Sequence, residues 1–127
     1  MKNKTKLNLR IQRNNNLNDI VYDDTAGPGN GRHHYQVFLK GNEDTVASPL
    51  LDIQFQEGPR KDPRSVSGVL ETDLLEIVRH RLQCFQLGEY HTDENAFALM
   101  HIEEALMWLN KRVEDRAERG VLGTMNK

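Results

Sequence analysis

The feature that most constrains the fold is a change in the spacing of apolar residues near residue 68. Before this point, apolar and polar residues alternate over short runs, and a period of two predicts half-buried β-strands. After it, apolar residues recur at intervals of three and four, which predicts amphipathic helices. We therefore expect an α+β fold in one compact domain, with an N-terminal β region at residues 1–66 and a C-terminal helical hairpin at residues 67–127.

Four short segments carry the strand pattern. Their apolar residues are Leu7, Leu9 and Ile11; Ile20 and Tyr22; Tyr35, Val37 and Leu39; and Leu51, Ile53 and Phe55. The connecting segments are rich in turn residues and are too short for helical crossovers. Strands joined in this way pair antiparallel, so we expect an antiparallel sheet.

Two helices follow, and each has one narrow apolar seam. The seams consist of Leu75, Val78, Leu82 and Phe85 in the first helix, and of Leu99, Ile102, Leu106, Leu109 and Val113 in the second. We expect Thr72 to cap the first helix and Thr92 or Asp93 to cap the second. The second helix carries further apolar residues, including Phe97 and Trp108, away from its seam. These side chains pack on the sheet or form a subunit interface, and the sequence leaves both interpretations open.

Charge and cysteine content exclude some classes of function. The net charge is −2, whereas a protein that binds duplex nucleic acid needs a basic surface. The single cysteine, Cys84, allows no intramolecular disulfide, which fits a reducing cytoplasm. No long apolar segment follows the basic start. We expect a cytoplasmic protein that binds neither DNA nor a membrane.

Catalytic patterns are weak in this chain. Cys84 and His80 are four residues apart on one predicted helix, but a small semi-buried cysteine is the commoner interpretation. His33 and His34 are adjacent at a strand, so they point to opposite faces and do not share a metal ion. We expect surface or hydrogen-bonded histidines, and no catalytic residue, metal or cofactor.

A row of arginines on the second helix is a stronger signal for ligand binding. Arg112, Arg116 and Arg119 recur at i, i+4 and i+7, so they form one stripe beside a Gly-containing turn. A planar guanidinium donates two hydrogen bonds to phosphate oxygens. Acidic residues are interleaved with these arginines, so a solvated, salt-bridged face is the alternative. Arg60 lies in a loop after the last strand, where an ordinary polar turn is the alternative.

Phe85 and Asn95 flank the loop between the two helices and are therefore expected to lie near each other. An aromatic ring stacks on a purine, and an amide pairs with the edge of adenine. From the residues alone, a core phenylalanine and a helix-capping asparagine are the alternatives.

Several segments of the helical region form a recognisable set. They are LLEIV at 74–78, RLQCFQ at 81–86, ENAFAL at 94–99 and EEALMWLNKR at 103–112, followed by Asp115, Arg116 and RGV at 119–121. Together they resemble the C-terminal hairpin shared by phage anti-Thoeris and anti-CBASS sponge proteins. The N-terminal strands, with His34, Val37 and FQEGP at 55–59, resemble the Thoeris anti-defence branch of that family. The chain departs from the family pattern at Cys84, at Val113 and in the position of Thr72.

The resemblance implies a protein that binds glycocyclic ADP-ribose immune signals, holds them intact and so blocks Thoeris defence. It assigns adenine stacking to Phe85 and further ligand contacts to Asn95, Arg112, Arg116 and Arg60. It also implies a homodimer that assembles into a hexamer in the cytoplasm of the infected host. Some members of the family also bind cyclic di- or trinucleotides at a separate site, so the resemblance allows such a site here. The alternatives are an enzyme that degrades a cyclic nucleotide signal and a phage protein-interaction module.

Overall fold

The computed structural model describes residues 3–12 and 16–121. They fall into two compact units, one ending at Gly68 and the other beginning at Val69. The first unit contains a sheet and the second contains two helices. The predicted α+β fold is thus confirmed.

The N-terminal unit is a four-stranded antiparallel sheet whose strands lie in sequence order. The strands are β1 (Lys4–Lys6), β2 (Asn18–Asp23), β3 (His34–Leu39) and β4 (Leu51–Gln54), and a short 3₁₀ turn spans Pro28–Asn30. Each strand pairs with the next, as the short connections predicted. Val21 and Phe38 are the buried apolar residues of this sheet, at 1% and 5% exposure.

The first strand lies earlier than its apolar pattern predicted. A strand over Leu7, Leu9 and Ile11 was expected, but β1 ends at Lys6, and Ile11 is 97% exposed. The Lys6 ammonium lies 3.4 Å from the carboxylate of the buried Asp19 and 3.5 Å from that of Glu43. These ion pairs connect the end of β1 to β2 and to the loop that follows β3.

The C-terminal unit consists of α1 (Glu71–Gln86) and α2 (Asp93–Glu118), packed against each other as a hairpin. The Thr92 hydroxyl caps α2 by accepting the Asn95 N–H at 3.0 Å, as predicted. The expected cap of α1 at Thr72 is wrong, because α1 begins after Leu70. The Asp73 carboxylate, in the first turn, accepts the N–H of the N-cap residue Leu70 at 2.9 Å. Neither helix of the described chain has the length and apolar character needed to cross a membrane.

Candidate functional site

A cavity of about 390 Å³ lies at the open end of the hairpin, where α1 begins and α2 approaches its end. Leu70, Leu109 and Val113 supply its apolar wall. Its polar side chains are Glu71, Thr72, Arg112 and Arg116. The arginines share the cavity because they are four residues apart on α2, which places them on one helix face.

Arg112 is held by a loose ion pair. Its Nη2 atom lies 3.7 Å from Oε1 of Glu71, and the two side chains are 65% and 58% exposed. This separation exceeds that of a normal hydrogen bond. Exposed pairs of this kind contribute at most about 1 kcal/mol to stability, so an incoming anion competes readily for the guanidinium.

Arg116 is half-buried, and its position is defined by the end of α2. Its Nη2 donates to the Val121 carbonyl at 2.9 Å, across a turn in which Gly120 has a φ of 73°. Glycine adopts that left-handed backbone conformation most readily, because it has no side chain. The first turn of α1 borders the same cavity, and helix N-termini attract anions. Two guanidinium groups and a helix N-terminus together favour phosphate oxygens.

The opposite end of the hairpin carries the other predicted pair. The Gln86 side chain both donates to the Thr92 carbonyl and accepts the Thr92 N–H, each at 3.1 Å. Thr92 in turn caps the helix at Asn95. This chain of hydrogen bonds places Phe85 and Asn95 at the same end of the hairpin, on either side of its loop.

Phe85 is half-buried, and one face of its ring is covered. The guanidinium carbon of Arg81 lies 5.0 Å from the ring centroid, within the range of a cation–π contact. Arg81 was not among the predicted site residues, although its i, i+4 spacing from Phe85 is a usable signal.

Asn95 is not a helix cap, so that alternative is wrong. Its backbone N–H binds the cap Thr92. Within residues 3–12 and 16–121, its side-chain amide makes no hydrogen bond. Both the donor and the acceptor of this amide are therefore available to a ligand.

The two pairs of residues are far apart within one chain. Asn95 lies in the first turn of α2 and Arg112 lies near its end. At 1.5 Å per residue, they are about 25 Å apart along the helix axis. One hairpin thus has Phe85 and Asn95 at one end and a cavity lined by two arginines at the other.

Arg60 lies in the N-terminal unit and stabilises its own loop. Its Nε donates to Oε1 of Gln56 at 2.7 Å, and its Nη2 donates to the Gly68 carbonyl at 2.8 Å. The same Gln56 oxygen accepts the Gly68 N–H at 3.1 Å. These bonds give Arg60 a structural role, and its contact with a ligand remains a prediction.

The histidines and the cysteine form only small clusters. Cys84 Sγ lies 3.7 Å from Nε2 of His80, and Nε2 of His34 lies 2.6 Å from Oδ1 of Asp52. The expectation of surface or hydrogen-bonded histidines is wrong for His33, because its Nε2 is buried without a partner among the described residues. In the described part of the chain, no group of three or more His, Cys, Asp or Glu side chains is placed to hold a metal ion.

Hydrogen bonds stabilise the ionised form of Asp52. The amide of Gln36 donates to its Oδ2 at 2.9 Å and His34 binds its Oδ1. These two bonds, with that from Gln36 the larger influence, hold the pKa of Asp52 below its ordinary value. The cluster is thus a surface network that links β3 to β4.

Comparison with known proteins gives two matches. Residues 48–114, just over half of the chain, match the family described as Acb2/Tad1, hairpin domain. A relative from Bacillus phage SBSphiJ7, named Thoeris anti-defense 1, is 47% identical over 99 residues. That alignment covers 78% of this chain and 66% of the relative, so the chain spans slightly less than two thirds of the relative's length.

Proposed function

The chain belongs to the Acb2/Tad1 hairpin-domain family, as its resemblance predicted, and we propose that it binds glycocyclic ADP-ribose signals without cleaving them. Binding would withdraw the signal and so block Thoeris defence. The name of the phage relative supports an anti-Thoeris role. Sequestration needs no catalytic group, and the proposed place of action is the cytoplasm of the infected bacterial host.

The complementary chemistry of the two ends of the hairpin is the observation that carries this proposal. The ligand contains an adenine, two riboses and a pyrophosphate. Phe85 and Asn95 suit the base, since one stacks and the other hydrogen-bonds. Arg112 and Arg116 suit the pyrophosphate, together with the first turn of α1. Arg60 is proposed as a further ligand contact.

A site that uses both ends needs two chains. A compact cyclic nucleotide does not span about 25 Å along one helix, but a second copy in the opposite direction would bring its cavity to the loop end of the first. Several apolar side chains of α2 are exposed and supply surface for such a contact; they are Phe97, Met100, Met107 and Trp108. We propose a homodimer with two equivalent sites, assembling into a hexamer. A separate site for cyclic di- or trinucleotides remains a prediction.

A site shared by two chains also suits the high affinity that sequestration of a ligand requires. Nanomolar affinity corresponds to about −12 kcal/mol, and affinity of that order requires a preorganised and largely enclosed pocket. The described cavity is open on the single hairpin, and a second chain would enclose it.

Subunit mixing tests this proposal. Phe85→Ala removes the stacking surface of one end and Arg112→Ala removes the cation of the other, so each variant alone should lose glycocyclic ADP-ribose binding. A mixed dimer contains one site with both defects and one site with neither. Co-expression in equal amounts should therefore restore about a quarter of the wild-type capacity, measured by equilibrium dialysis.

Two outcomes of the mixing experiment would contradict the proposal. If both single variants lose binding and the mixture restores none, while affinity capture of differently tagged chains shows that mixed dimers form, the site lies within one chain. If both variants bind like the wild type, Phe85 and Arg112 do not contact the ligand.

A further inference from the structure

We infer that Glu71 is an electrostatic gate that occupies Arg112 in the free protein and is displaced by the pyrophosphate of the ligand. The gate makes the cavity selective for anions that carry more than one negative charge. This inference rests on the proposed function, because it concerns how the same cavity recognises its ligand.

The geometry of Glu71 fits a gate better than a structural residue. Its carboxylate meets the Arg112 guanidinium at 3.7 Å, with both side chains more than half exposed. By contrast, Asp73 in the same helical turn makes a direct hydrogen bond to the Leu70 N–H at 2.9 Å. The cap of α1 therefore depends on Asp73, and Glu71 is free to leave its partner with little cost to the fold.

The charges that border the cavity give the selectivity. Without Glu71, a single small anion would meet Arg112 and Arg116 together with the N-terminal end of α1. Glu71 is tethered to that turn, so it competes at a high effective concentration against any ion that makes one contact. A pyrophosphate replaces the carboxylate at Arg112 with one phosphate and places its second phosphate near Arg116, so it outcompetes the gate.

Glu71→Gln tests the gate, with Glu103→Gln as the matched control. Both substitutions remove one negative charge from an exposed helical position, but residue 103 lies about 13 Å from Arg112 along α2. Calorimetric titration of each protein with glycocyclic ADP-ribose and with inorganic pyrophosphate gives the affinities. Glu71→Gln should tighten binding of both probes by about three- to tenfold, whereas Glu103→Gln should leave it unchanged.

Salt dependence separates a gate from a change in the fold. The gain in affinity should fall toward zero in 1 M salt, where the Debye length is only about 3 Å. A gain caused by altered packing would persist. The thermal unfolding midpoint of Glu71→Gln should match that of the wild type.

The remaining outcomes contradict the gate, the proposed function or both. Unchanged or weaker binding by Glu71→Gln overturns the gate, and weaker binding would make Glu71 a direct ligand contact. If pyrophosphate binds more tightly to Glu71→Gln while glycocyclic ADP-ribose binds to neither protein, the gate stands and the proposed function fails. If neither probe binds any of the proteins, both fail.

Discussion

At the scale of single residues, Phe85 is the side chain that we propose to stack on the base of the ligand. Its ring is half-buried in the last turn of α1, with Arg81 over one face. An exposed aromatic face stacks on a base through its π-system, and an aliphatic side chain of similar volume has none. Substitutions at this position can therefore separate stacking from packing.

Phe85→Leu keeps most of the apolar volume and removes the ring, whereas Phe85→Tyr keeps the ring. Base stacking contributes about 1–3 kcal/mol, so the leucine variant should weaken glycocyclic ADP-ribose binding by about ten- to hundredfold. The tyrosine variant should bind within a few-fold of the wild type. Calorimetric titration measures both, and a leucine variant with wild-type affinity would show that the base lies elsewhere.

Residue roles that depend on local spacing could be predicted from the sequence, and roles that depend on distant partners could not. The i, i+4 spacing of Arg112 and Arg116 placed them on one face, and the structure puts both at one cavity. Glu71 was missed because its partner lies on the other helix, far away in sequence. The same limit applies to Arg60, whose bonds to Gln56 and Gly68 depend on the path of a loop.

At the scale of secondary structure, capping signals were predictive only where the threonine immediately precedes the helix. Thr92 does so and caps α2. Thr72 lies inside the first turn of α1, because the N-cap of this helix is Leu70, whose N–H is accepted by the Asp73 carboxylate. The position of β1 was also predicted wrongly, because the strand ends at Lys6, before most of the alternating apolar residues.

Thr92→Ala should lower the free energy of unfolding by about 1 kcal/mol, because it leaves an N–H of the first turn of α2 without its partner. Chemical denaturation measures the change. Thr72→Ala is the control, since its hydroxyl makes no capping bond, and it should change stability much less. Equal losses in the two variants would contradict the assignment of the cap.

At the scale of the whole molecule, periodicity was enough to predict the class of fold. The change from a period of two to intervals of three and four separated the sheet from the hairpin, and short loops predicted antiparallel pairing. The contacts of the arginines could not be predicted in this way. Helix α2 extends from Asp93 to Glu118, as its cap and seam indicated, but the Glu71 partner of Arg112 lies on the other helix.

The distance between the two ends of the hairpin explains why two chains are proposed for each ligand site. In a single hairpin, the residues proposed to bind the base and those proposed to bind the phosphates are about 25 Å apart. Two copies in opposite directions would combine them twice, once on each side of a twofold axis. Such an arrangement binds a ligand tightly without any residue that attacks it.

Recovery of the ligand tests sequestration most directly. The protein is incubated with glycocyclic ADP-ribose, separated from free ligand and heat-denatured, and the released material is identified by mass spectrometry. We expect chemically intact ligand in stoichiometric amount, because the proposed site binds and does not react. Release of cleaved products would contradict sequestration and identify an enzyme, and release of no nucleotide would show that this molecule is not the ligand.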